Sequence, residues 1–224
     1  MLLDYIDLTH VLEEKTPMYP GLESPKIKIL SSIASRGCMI SSVSFISHTG
    51  THMDAPCHFI KGGRTIDAIG INELIARPVI IKLAPNQKNI RKEDIIPYEA
   101  KIDEKTVLIL NTGIDKKYGT RQYFNDFPTL TDEAAVWIAK KRPAIVATDA
   151  SSVDPVNSKE KFIHRTLLGM NIILVESITN ISLIKEDFHV CLFIPLKIKG
   201  IDGSPCRAFA LNPDIINKIL LPNK

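Results

Sequence analysis

The chain has 224 residues, 45% hydrophobic and 24% charged, with 28 Lys and Arg against 25 Asp and Glu for a net charge of +3. That length accommodates a full hydrophobic core without disulfides or structural metal, so any bound metal is expected to serve chemistry rather than folding. Scattered, near-balanced charge argues against a nucleic-acid partner, four widely spaced cysteines against a disulfide scaffold, and the lack of an apolar run near ~20 residues against a membrane span.

Asp4 and Asp7 interrupt any signal-peptide pattern at the N-terminus, and a cytoplasmic protein is expected. Short β-branched runs bounded by turn formers predict strands at residues 26–30, 40–46, 78–83, 107–110, 144–148, 172–175 and 190–195. The clearest helix is predicted over 131–142. Thr131 supplies its N-cap, acidic residues follow, and Lys140, Lys141 and Arg142 close it, as capping and the helix dipole favour. Weaker helical patterns lie at 91–100, 180–185 and 213–220, and surface connections are expected at 85–89 and 116–128. The interleaving predicts one α/β domain over residues 1–224. Its sheet is expected to be mixed, because the first strands precede any clear helix and suggest antiparallel pairing.

Residues 48–58 read HTGTHMDAPCH and hold three of the six histidines. His48, His52, Asp54 and His58 occupy even positions, and residues of equal parity on an extended segment point to one face. Gly50 and Pro56 disfavour a helix. Four extended residues span roughly 13 Å, too far for ligands of one ion, so the backbone is expected to bend at Gly50. Two imidazoles and a carboxylate suit zinc or manganese and leave coordination positions open for water. Cys57 adjoins His58, but neighbours on an extended segment face opposite ways, so it reads as packing. Further on, residues 163–177 read IHRTLLGMNIILVES, with His164 before a helical-looking stretch and Glu176 at the end of an apolar strand. Alone, these two read as a surface histidine and a solvated strand end. They gain weight from the first motif, because strand ends are where α/β sites lie.

These residues resemble the cyclase-like metal hydrolase family that includes bacterial kynurenine formamidases and isatin hydrolases. Its HxGTHxDxPxH motif is matched at His48, Gly50, Thr51, His52, Asp54, Pro56 and His58. TPMYPG at 16–21, NTG at 111–113, HR…E at 164–176 and DGSPCRA at 202–208 stand in family order, so the similarity runs through nearly the whole chain. The resemblance implies a mixed-sheet swivelling β/β/α fold and a homodimer or homotetramer. It also implies one metal on His48, His52 and Asp54, and, in two-metal members, Asp54 bridging to a second ion on His164 and Glu176. His58 would donate and accept the proton. Where the family often carries Trp against an aromatic substrate, this chain has Tyr19, which is therefore the expected substrate contact. Asp149 and Ser151 are further pocket candidates.

The implied activity is hydrolysis of a small linear or cyclic amide with one or two Zn2+ or Mn2+ ions per chain. A lactone-opening or dehydrating enzyme of the same fold, and a metal-dependent binding or assembly protein without turnover, are the alternatives. His58, which no ligand role requires, favours the enzyme.

Overall fold

The computed structural model describes residues 4–187 and 189–215. Twelve strands lie among them: β1 (Tyr5–Asp7), β2 (Lys26–Ser31), β3 (Ile40–Ser44), β4 (His52–Asp54), β5 (Ile75–Lys82), β6 (Asn89–Ile90), β7 (Thr106–Asn111), β8 (Thr129–Leu130), β9 (Ile145–Thr148), β10 (Ile173–Glu176), β11 (Val190–Pro195) and β12 (Gly203–Leu211). Eight of them form one sheet in the order β1-β12-β11-β5-β7-β9-β10-β4, and β12 also pairs with β4, which closes the sheet into a barrel-like ring. β5, β7, β9 and β10 run parallel, while β4, β11 and β12 pair antiparallel, so the sheet is mixed as expected.

The apolar strands read as continuous runs because both of their faces are buried. In β7, Val107 and Ile109 join an inner cluster with Met53, Val175 and Phe193. Leu108 and Leu110 point the other way, into a second cluster with Leu174, Ile138 and Leu167. The helix Asp132–Lys141 covers that second face. Thr131 caps it by accepting from the Ala134 amide, and Arg142 ends it in the left-handed region at φ 55°. A second helix, Phe162–Gly169, packs Ile163, Leu167 and Leu168 into the same cluster.

Several expectations change. The 91–100 pattern yields one α-turn, Lys92–Ile95, followed by a 3-10 helix, Ile96–Lys101, because Pro97 lacks the amide an α-helix would use. The 180–185 pattern yields only the 3-10 turn Ile181–Leu183. Of the 213–220 pattern, residues 216–220 lie outside the described residues. The expected surface connection at 116–128 instead buries Tyr123 and Phe127, and contains a helical turn, Gln122–Asn125. No helix among the described residues is long and apolar enough to cross a membrane.

Candidate metal centre

β4 is three residues long and wholly buried, with β10 on one side and β12 on the other. The register sets His52 beside Glu176, and Asp54 beside Leu174 and Gly203. Met53 and Val175 face the inner cluster, so His52, Asp54 and Glu176 share the opposite face. The helix Phe162–Gly169 packs on that face and delivers His164 to it. Gly203 has to be glycine: a Cβ there would lie 2.8 Å from His48 Cε1 and 2.8 Å from the Met53 carbonyl oxygen.

Each of these imidazoles has a partner that aims it. His52 Nδ1 donates to the Gly50 carbonyl at 2.9 Å. A carbonyl can only accept, so Nδ1 carries the proton and Nε2 turns a lone pair inward. That Nε2 lies 3.3 Å from Asp54 Oδ1 and 3.6 Å from Glu176 Oε2. His164 is held through Nδ1 by Asp154, whose carboxylate also accepts the Ile163 and His164 backbone amides. His164 Nε2 then stands 3.5 Å from Asp54 Oδ2 and 3.3 Å from Glu176 Oε1.

Ligands about 2.0–2.1 Å from one ion sit roughly 3.3 Å from one another, and the His52 and His164 Nε2 atoms lie 3.3–3.6 Å from the Asp54 and Glu176 oxygens. Asp54 Oδ2 is buried and has no hydrogen-bond partner, a costly arrangement for an anionic oxygen unless a cation meets it. The donor set fits a divalent metal. Two overlapping groups, His48–Asp54–His58 and His52–Asp54–Glu176, each bring one ligand atom per residue within 4.8 Å of the others.

His48 is engaged through both ring nitrogens, by Asp54 Oδ1 at 2.7 Å and by Asp202 Oδ2 at 2.8 Å. Burial opposes a charge on His48, but these carboxylates outweigh it and raise its pKa to about 10. His164 is likewise raised despite its burial, by Asp154, Asp54 and Glu176. Burial pushes the Asp54 pKa up, yet the surrounding histidines hold it well below the usual range. The cluster therefore draws positive charge, and a metal would displace protons from it. His58 moves the other way: burial, aided by the charges on His48 and His164, lowers its pKa and leaves it a neutral imidazole.

His48, His52, Asp54, His58, His164 and Glu176 thus come together, but parity is not what gathers the first four. Only 52–54 is strand. His48 precedes the bend at Gly50, whose φ is +60°, and His58 sits on the 3-10 turn Pro56–His58. Pro56 does not block that turn, because it occupies the first helical position, where no amide is needed. The surface reading of His164 and the solvated reading of Glu176 are overturned, since each is only 4% exposed, although Glu176 does end β10 as expected. Cys57 packs, its thiol 3.6 Å from the Ile201 carbonyl.

A cavity of about 280 Å³ opens over the cluster, walled by Tyr19, Leu22, Ile46, Phe59, Phe124 and Ser151. Tyr19 donates to the Val156 carbonyl at 3.2 Å and meets Phe124 edge-on. Asp149 is absent from that wall and is structural: it accepts from the Thr112 hydroxyl and from the Thr112 and Gly113 amides, fixing the NTG turn. Sequence reasoning missed Asp154 and Asp202. Neither lies in the histidine-rich segment or in a recognisable capping position, and DGSPCRA suggested a landmark without a role.

The family described as "Putative cyclase" matches residues 6–155. A kynurenine formamidase of Bacillus cytotoxicus is 27% identical over 207 residues, 92% of this chain and 96% of that protein. One from Geobacillus thermodenitrificans is 27% identical over 210 residues, 93% and 97% of the two chains. An isatin hydrolase bound to the product analogue thioisatinate superposes with a TM-score of 0.84 at 23% identity, covering 94% of this chain and 92% of that one. A potential metal-dependent hydrolase with cyclase activity gives 0.79 at 24%, covering 93% and 97%. At those identities the two structures speak to the fold alone. With two thirds of its length matched by the family and the motif residues assembled into one cluster, the chain belongs to the cyclase family.

Proposed function

We propose that this protein is a metal-dependent amide hydrolase that cleaves a carbon–nitrogen bond of a small linear or cyclic amide, formamidase-like. The observation that carries this reading is the buried Asp54 Oδ2, without a hydrogen-bond partner, amid His52, His164 and Glu176, with His58 at the cavity beside them. His48, His52 and Asp54 would hold one ion, and His164 and Glu176, together with Asp54, would hold a second. Nitrogen and carboxylate donors without thiolate suit zinc or manganese.

When bound, a divalent ion lowers the pKa of water from about 15.7 to about 7 and polarises a carbonyl oxygen. His58 takes the proton from the attacking water and returns it to the departing nitrogen, which leaves as the neutral amine. Tyr19, Phe59 and Phe124 offer an aromatic wall that suits an aryl substituent, in keeping with the kynurenine formamidase relatives. Turnover of N-formyl aromatics or cyclic imides, lost on chelation, is the expected result. Turnover of lactones alone would reassign the enzyme, and none by fully metal-loaded protein would make it a binding protein.

The metal count has its own test. Titrating metal-free protein is expected to give two ions per chain, falling to one in Glu176→Gln with reduced activity. One ion in both proteins would reject the bridging role of Asp54.

A homodimer or homotetramer in the cytoplasm completes the reading. The four cysteines are free thiols, as a reducing compartment keeps them. β2 and β3 form a separate two-stranded hairpin whose Ile27, Ile29 and Val43 share one face and are all exposed. An isolated hairpin is marginal in water, and a second copy would cover this face. Sedimentation of a single-chain species at micromolar concentration would refute the oligomer.

A further inference from the structure

We infer that Asp202 is the positioning residue of the proton-transfer group, holding His58 by Nδ1 so that Nε2 is the nitrogen that meets the substrate. The inference rests on the acid–base reading of His58 and extends it to a residue 144 positions away in sequence. Asp202 Oδ2 lies 3.1 Å from His58 Nδ1 and 2.8 Å from His48 Nε2, so one oxygen serves both rings. Its other oxygen accepts from the Ser47 hydroxyl at 3.0 Å, and its backbone carbonyl accepts from the Ala55 amide at 2.8 Å. The carboxylate is thereby fixed against both ends of the histidine-bearing loop.

An ionised carboxylate only accepts, so the His58 nitrogen facing it is the N–H nitrogen, and the tautomer that leaves Nε2 as a base is selected. The ring is steadied further by its packing against His48, 4.0 Å between centroids, and by the edge contact with Phe59 at 4.3 Å. The absence of a side chain at Gly203 lets the backbone pass close enough to bring Asp202 beneath both rings. Without that carboxylate, His58 would be free to take the other tautomer, or to rotate and present the wrong nitrogen.

A double-mutant cycle separates this role from mere bracing of the loop. Asp202→Asn keeps the size of the side chain, an acceptor for Ser47 and the backbone bond to Ala55. It is expected to lower kcat by about 10- to 100-fold, the usual cost of losing such an orienting partner, with KM and metal content unchanged. Combined with His58→Ala, it is expected to cost nothing more, because a positioning residue has no effect once the group it positions is gone. Asp202→Glu, which retains the carboxylate, is expected to lose less than Asp202→Asn.

A wild-type kcat in Asp202→Asn, a full additional loss in the His58→Ala background, or metal loss in Asp202→Asn would each overturn the assignment. The last two would move Asp202's role to His48 and the metal. Unaltered activity in His58→Ala alone would instead reject the acid–base reading itself, so the two failures are distinguishable. Should Asp202→Asn fail to fold by circular dichroism, the Asp202→Glu arm of the cycle decides: additivity with His58→Ala overturns the inference, and non-additivity supports it.

Discussion

Asp54→Ala is expected to purify without metal and without measurable turnover. The side chain is about 1% exposed, and one or other of its oxygens faces His48 at 2.7 Å, His52 at 3.3 Å and His164 at 3.5 Å. Among the described residues no other carboxylate is paired with all three, so none can take over its charge. Loss of an orienting partner alone costs about 10- to 100-fold in metal affinity, and removal of the bridging ligand should exceed that. The metal-free fold should suffer as well, because His48 loses the acceptor on its Nδ1 and a buried donor is left unsatisfied, although Asp202 still holds its other nitrogen and Asp154 still holds His164. An unsatisfied buried polar group typically costs about 1–3 kcal/mol. Metal analysis after dialysis against a buffered zinc solution, with thermal unfolding of the chelated protein, reads both effects. Stoichiometric metal in Asp54→Ala would remove it from the centre.

His58→Ala should separate metal binding from chemistry. It is expected to hold metal normally and to lose kcat by about 10²- to 10⁴-fold, the usual share of a general acid–base group. His58 and His48 could also join Asp54 in holding an ion, since their ligand atoms lie within 4.8 Å of one another. Metal content therefore decides between the two roles: metal lost together with activity would make His58 a ligand. Wild-type rates would leave it no role in the reaction.

What the sequence disclosed follows from physical cause. The runs at 107–110, 144–148 and 172–175 were legible because both faces of β7, β9 and β10 are buried, so their central positions are apolar. The helix over 131–142 was legible because its cap, acidic start and basic end agree. β4 and β12 were not. β4 is only three residues long and carries the ligands, so its composition reflects chemistry rather than strand propensity. β12 opens with Gly203, Ser204 and Pro205, which read as a turn. Pro205 nevertheless pairs opposite His52, at the end of β12 that closes the ring. The histidine-rich segment revealed its members but not what aims them. Asp154 and Asp202 reach the site through tertiary folding, and no local spacing records that.

The closure of the ring by β12 against β4 bears on when the centre can form during synthesis. The strand carrying His52 and Asp54 leaves the ribosome early, while β10 and β12, which flank it, come late in the chain. At about 5–20 residues per second, the first ligands wait roughly 6–30 seconds for their neighbours. Such non-local pairing is also the slow part of folding. The nascent chain therefore lacks the flanking strands that complete the cluster, and an ion is expected to bind after the ring closes, which metal uptake measured during refolding would check.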